Sequence, residues 1–195
     1  MFYQWLTQYS DEIGFLNVFR YITLRTFISF FTAFIVCYLV GPTYISRLRR
    51  KQNKVSNVRE DTPERHQTKA GTPTMGGGLI LLSLVVPFLL WMDIGNALVV
   101  STMLVTLAFS FIGYLDDHNK VMKKDSQGVS GKLRLIMEFF VCGAVLYYLI
   151  SFQHLTTNLT MPFFKDVTID LGNFYVVFGS LVIVGTSNAV NLTDG

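Results

Sequence analysis

Only two cysteines occur in the 195 residues, Cys37 and Cys142, more than a hundred positions apart. That spacing fits neither a metal pair nor a disulfide framework, and both read as small buried apolar residues. There is no internal repeat and no low-complexity tract, which excludes a repeat array or a disordered linker as the main architecture. No basic segment precedes the first apolar run, which also starts late, so no cleavable signal peptide is expected and the N-terminus is kept. Glycine-rich stretches do not have the spacing of a P-loop. Net charge is only +3, too small by itself to point to a partner.

What the chain has instead is apolar length. Apolar residues make up 51% of it, with 17 Phe, and residues 22–45, 75–92, 96–115, 133–151 and 173–190 are each about long enough to cross roughly 30 Å of hydrocarbon as a helix. The expectation is an all-α, polytopic integral membrane helix bundle with five transmembrane helices, forming one transmembrane domain over residues 1–195. Arg47, Arg49, Arg50, Lys51, Lys54, Arg59, Arg65 and Lys69 lie between the first two spans; Lys120, Lys123, Lys124, Lys132 and Arg134 lie between the third and fourth. By the positive-inside rule the loops 46–74 and 116–132 are cytoplasmic, which puts the N-terminus, the 93–95 turn and the 152–172 loop outside. The fifth span then brings "NLTDG" back to the cytoplasmic side. Basic residues set directly beside membrane helices argue against nucleic acid as a partner.

Local signals refine the picture. Trp5, Tyr3, Tyr9 and Tyr21 mark residues 1–21 as an interfacial segment. In "GTPTMGGG", Thr72 can cap a helix whose first residue is Pro73, and Pro87 predicts a kink in the second span. "MPFFKDVTIDLG" alternates weakly, as a short hairpin or an interfacial loop would. Glu138, about a turn and a half into the fourth span, is either functional or structural, reaching back to the interface or pairing with Arg134 four residues earlier.

Topology gathers three polar clusters at one membrane surface: "KAGTPTMGG" entering the second span, "DDHNK" leaving the third and "NAVNLTDG" leaving the fifth. A single cleft is expected to hold them. Asp116 and Asp117 are read at a helix C-terminus, where the dipole disfavours anions by roughly 0.3–1 kcal/mol each. A cation is therefore expected there, and oxygen ligands beside a polyphosphate suit Mg2+; the alternative is a solvated helix end balanced by Lys120, Lys123 and Lys124. The helix start with Lys69 and the glycines can cradle phosphate, or the glycines can mark close helix packing. Asn188, Asn191 and Asp194 follow one another at intervals of three on a helix and can read a base or ribose, orient metal-bound water, or simply cap a polar end. His66 and His118 flank the same surface as candidate bases or as solvated loop residues.

"TPERHQTKAGTPTMGG", "GYLDD", "PFFKDV" and "GTSNAVNLTDG", in this order and spacing, resemble the phospho-N-acetylmuramoyl-pentapeptide transferase family within the polyprenyl-phosphate sugar-1-phosphate transferases. The resemblance implies a Mg2+-dependent enzyme of peptidoglycan synthesis in the bacterial inner membrane, active on the cytoplasmic face. It would transfer phospho-MurNAc-pentapeptide from UDP-MurNAc-pentapeptide to undecaprenyl phosphate, giving lipid I and UMP, with the bilayer and a second copy of the chain as further partners. It implies Asp116 and Asp117 as catalytic residues, Asp116 directing or deprotonating the lipid phosphate unless a phospho-aspartate forms. Lys69, Thr74, Lys120 and Lys132 would hold phosphates, Asn191 and Asp194 the uridine side of the donor, and Asp117 and Asp194 the metal. Family members continue past "NLTDG" with further spans and another acidic metal ligand, so the chain is expected to be about half of the family fold and inactive alone. A transferase of UDP-N-acetylhexosamine is the nearest rival. An ion-coupled transporter is the rival of another class, which would set its acids near the bilayer midplane; a structural membrane subunit would leave the polar clusters unexplained.

Overall fold

The computed structural model describes residues 2–52, 75–123, 128–161 and 167–194, with the backbone alone for residues 51, 52, 120–123 and 194. Helix α1 (Phe2–Gln8) and two 3-10 segments, Tyr9–Asp11 and Gly14–Arg20, precede α2 (Ile22–Gln52), α3 (Gly77–Trp91), α4 (Ala97–Lys123) and α5 (Gly131–Gln153). A hairpin of β1 (Asn158–Thr160) and β2 (Thr168–Asp170) then leads into α6 (Phe174–Asp194). The hairpin expected beyond the fourth span forms, with its first strand just ahead of "MPFF" and Leu159 opposite Ile169.

A helix stands at each of the five apolar runs. Four segments, Ile22–Arg50, Ala97–Asn119, Gly131–Gln153 and Phe174–Thr193, are long and apolar enough to cross a membrane. Helix α3 has 15 residues, about 22 Å at a rise of about 1.5 Å per residue, short of a roughly 30 Å core. Its backbone explains the length. Met75 has φ 68°, a left-handed conformation that a right-handed helix cannot pass through. Thr72 and Pro73 lie outside the described residues, but a helix begun there could not continue through Met75 into α3; Gly76 takes the N-cap position without a side-chain bond. At the other end Met92 is extended, and the Asp93 carboxylate accepts the Gly95 N–H at 3.0 Å in a tight turn.

Several hydroxyls inside the helices are satisfied within their own helix, as suits a waterless surrounding, whereas the buried hydroxyls of Ser29 and Ser180 have no hydrogen-bond partner. The hydroxyls of Thr26, Thr32, Ser83, Thr106 and Thr186 each donate to the carbonyl four residues earlier, at 2.6–2.9 Å. Phe27, Phe30, Phe31, Phe34 and Tyr38 of α2 are all exposed, a surface suited to hydrocarbon rather than water.

The chain forms two compact units, Met1–Val99 with Gly113–Gly128, and Val100–Ile112 with Val129–Gly195. In the first, α2 packs on α3. A Cβ on Gly78 would fall 2.3 Å from the Tyr44 hydroxyl, which donates to the Met75 carbonyl at 3.0 Å. At the opposite end the Trp91 indole N–H donates to Thr32 Oγ1 at 3.0 Å. Phe2 meets the Trp91 ring edge-on and Phe19 stacks on it, while Arg25 lies 4.1 Å from the Tyr3 ring centroid and reaches the Trp91 carbonyl. Of the aromatic residues read as marking residues 1–21 as interfacial, Tyr3 joins this cluster through Arg25.

In the second unit α5 packs on α6 through small residues. A Cβ on Gly179 would come within 2.9 Å of Leu146 Cδ1, and Cys142 and Val184 are fully buried. Of the two cysteines expected inside, Cys142 is buried but Cys37 is exposed. Cys37 lines an open apolar groove of about 510 Å³ with Tyr38, Gly41, Pro42 and Ile45 of α2 and Leu79 of α3.

Candidate functional site

Asp116 and Asp117 end the apolar stretch of α4 without ending the helix. The expectation of a helix C-terminus is corrected here: α4 runs on to Lys123, so the local carbonyls still have downstream N–H partners. The dipole penalty acts in the last turn and does not reach them. Neighbouring residues on a helix point about 100° apart and do not face each other, and the two carboxylates differ accordingly. Asp116 is buried, with 8% of its surface exposed, and Asp117 is half-buried. Both are engaged in interactions. The pair is thus one sheltered carboxylate beside one more open one. A half-exposed carboxylate suits Mg2+, which takes one or two such ligands along with phosphate oxygens and water. Among the described residues no three His, Cys, Asp or Glu gather in a metal-binding cluster.

The basic candidates are less fully placed. Lys69 and Thr74, with His66, lie outside the described residues, and Lys120 is described only as helical backbone. Lys132 is exposed in the first turn of α5, whose N-cap Ser130 accepts the Leu133 N–H at 3.4 Å. His118 is exposed, its ring 5.7 Å from that of Tyr114 one turn earlier. Of the three glycines at the start of α3, Gly78 serves close packing against Tyr44, whereas Gly76 and Gly77 face open space.

Helix α6 carries "NAVNLTD" in helical form to Asp194. Asn188, Asn191 and Asp194 are therefore offset by about 60° each around its axis, and their environments diverge. Asn191 is exposed, Asn188 is half-buried and Asp194 is the last helical residue. The Asn188 Nδ2 donates to Glu138 Oε2 across the helix pair and to the Val184 carbonyl at 2.9 Å. Both amide hydrogens are spent, so Asn188 is no donor for a base or ribose, contrary to the expectation from its spacing. Glu138 is 2% exposed. Its pairing with Arg134 four residues earlier is borne out, Arg134 Nε to Oε1 at 2.9 Å.

The sequence-predicted residues divide between the units: Asp116, Asp117 and Lys120 in Gly113–Gly128, and Lys132, Asn191 and Asp194 in Val129–Gly195. Within the second, the helix pair joins Glu138 to Asn188, a contact the sequence reading missed. A signal existed. Leu146 meets Gly179; eight residues before Leu146 and nine after Gly179, on helices running in opposite directions, Glu138 meets Asn188.

Residues 99–195, which hold the acidic pair, Glu138 and the whole of "NAVNLTDG", match the family model of glycosyl transferase family 4, and over this segment the chain is similar to the polyprenyl-phosphate sugar-1-phosphate transferases.

Proposed function

We propose that the chain serves the transfer of phospho-MurNAc-pentapeptide from UDP-MurNAc-pentapeptide to undecaprenyl phosphate, giving lipid I and UMP. The observation that carries the reading is the acidic pair on α4, set where an apolar helix gives way to polar residues and inside the segment matched to the family. A lipid phosphate presents its charge at that kind of boundary. In this reading an oxygen of the lipid phosphate attacks the sugar-proximal phosphorus of the donor, a new P–O bond forms, and the bond to the second phosphate breaks to release UMP. Catalysis of this kind is mainly positioning and charge neutralisation.

The sheltered Asp116 takes the proton of, or directs, the attacking lipid phosphate. Asp117 is the carboxylate offered to Mg2+, which when bound would neutralise phosphate charge. Lys69, Thr74, Lys120 and Lys132 hold phosphates, and Asn191 and Asp194 contact the uridine side of the donor. In this reading the chemistry lies on the cytoplasmic face of a bacterial inner membrane with the N-terminus outside, an orientation that the basic residues between the spans support through the positive-inside rule.

The test is Mg2+-dependent UMP release by the full-length gene product in membranes, with and without Asp116→Asn. Release from UDP-MurNAc-pentapeptide, lost in the variant, supports the reading. Release from UDP-N-acetylhexosamine alone moves the assignment to the neighbouring transferases. Release from neither, with insertion confirmed, overturns the transferase.

A further inference from the structure

Glu138 is an acid placed about 10 Å along α5 from its first residue, and both of its oxygens are occupied. Its charge is already compensated on its own helix by Arg134, whose side chain is 21% exposed and can be solvated without it. A stability role alone would be served as well by an apolar side chain of similar volume, and α5 and α6 already interlock through Leu146, Gly179, Cys142 and Val184. What the carboxylate adds is Oε2, which reaches across to α6 and takes one hydrogen of Asn188. The other hydrogen of that amide is fixed on the Val184 carbonyl. Two bonds from one planar group, one to the helix's own backbone and one to its neighbour, set the rotation of α6 at this level.

Asn191 and Asp194 stand three and six residues further on, about 4.5 and 9 Å along the axis. Rotating a helix by about 10° moves an atom about 5.5 Å from its axis by about 1 Å. Misplacement on that scale reduces catalysis by up to about a hundredfold. We infer that Glu138, through Asn188, is a positioning residue that holds the end of α6, and with it Asn191 and Asp194, in the rotation that receives the nucleotide-sugar donor. The inference rests on the transferase reading for its substrate, and on the helix pair alone for its geometry.

Two measurements on the full-length protein separate those layers. Kinetics come first. Glu138→Ala and Asn188→Ala raise KM for the UDP-sugar by about tenfold or more and leave KM for undecaprenyl phosphate unchanged. The double variant is no worse than either single one. Glu138→Gln retains an oxygen for Asn188 and restores most of the loss, and Arg134→Gln, which leaves the bond across the pair intact, changes little. A merely structural role would lower the yield of folded protein while leaving the kinetic constants of the folded fraction alone; that result for both alanine variants overturns the inference. If Glu138→Ala does not fold, Asn188→Ala decides, since it leaves the Arg134–Glu138 pair intact.

The second readout needs no activity. In a Cys37→Ser background, the rate at which Asn191→Cys reacts with a membrane-impermeant maleimide changes severalfold when Glu138 or Asn188 is replaced by Ala. Should the wild type transfer nothing, the transferase reading fails and this rate alone decides whether Glu138 positions the end of α6: a changed rate upholds the positioning, and an unchanged one ends it.

Discussion

Replacing Gly78 by Ala tests how tightly the start of α3 is fixed to α2. The added Cβ would lie 2.3 Å from Tyr44 Oη, about 1 Å or more inside the usual contact distance, and 3.2 Å from Cζ, about 0.5 Å inside it. Tyrosine is stiff and its ring is held by the 3.0 Å bond to the Met75 carbonyl, so relief requires the ring to move and that bond to break. Overpacking of this kind costs about 1–3 kcal/mol, and the lost bond about 0.6 kcal/mol in membrane surroundings. Alanine's advantage over glycine in a helix offsets up to about 1 kcal/mol. The net expectation is a loss of about 0.5–3.5 kcal/mol, read by SDS-induced unfolding of purified protein in mixed micelles. Tyr44→Phe alone forfeits only the bond. Because it also removes the clashing oxygen, the double variant is more stable than the sum of the single effects by about 1 kcal/mol. Additivity within about 0.5 kcal/mol, or a stabilising Gly78→Ala, would refute this account of the contact.

At Gly179 the outcome differs, since the atom met at 2.9 Å is Cδ1 of Leu146, the free end of a flexible side chain; Gly179→Ala is expected within about 1 kcal/mol of wild type in the same unfolding assay, and Gly179→Phe to separate α5 from α6. Asp116→Asn is expected to abolish UMP release while leaving the unfolding curve within about 1 kcal/mol. In the hairpin, the Thr157 hydroxyl and, second to it, the Gly172 N–H hold the Asp170 carboxyl below the ordinary aspartate value. Thr157→Val should therefore raise its NMR titration midpoint. A lowered folded pKa stabilises above the unfolded aspartate value and loses that contribution as pH falls through the folded one, so wild type and Thr157→Val should differ in hairpin protection near neutrality and converge in acid.

Runs of apolar residues located α2 to α6, because burial in hydrocarbon is an additive property of composition and needs no tertiary information; α1, in a segment read only as interfacial, was not among them. Their ends were harder to read. The third and fifth spans were expected to stop at residues 115 and 190, where polarity rises, yet the helices continue to Lys123 and Asp194: backbone hydrogen bonding does not stop where the side chains change. In the second span the reverse holds, since hydropathy runs through Met75 while its left-handed backbone does not. Within the site, residue types were legible and pairings were not. Arg134 with Glu138 follows from helix periodicity, but the Asn188 bond depends on the register of two helices whose connection includes a hairpin. An asparagine that looks free to recognise a ligand can thus be wholly committed to the protein.

The hydrogen-bonded polar groups in these helices act in two ways, and the difference decides what each substitution does. Thr26, Ser83, Thr106 and Thr186 return their hydroxyls to their own helix, which satisfies them in hydrocarbon but joins nothing. A few cross to a neighbour, and they sit near the ends of the helix pairs. In the first unit Trp91 reaches Thr32 at one end of α2 and α3, and Tyr44 reaches Met75 at the other. In the second, Glu138 and Asn188 join one end of α5 and α6, while at the other Thr157 and Asp170 join across the hairpin. Between these pins the contacts are apolar and small, able to hold two helices together without fixing their rotation. Cutting the pin at Asn188 therefore leaves the pair assembled through its packed middle and its hairpin, and frees only the end that carries Asn191 and Asp194. That asymmetry is why the loss at Glu138 or Asn188 should appear first in the recognition of donor, and only later, under harsher conditions, in unfolding.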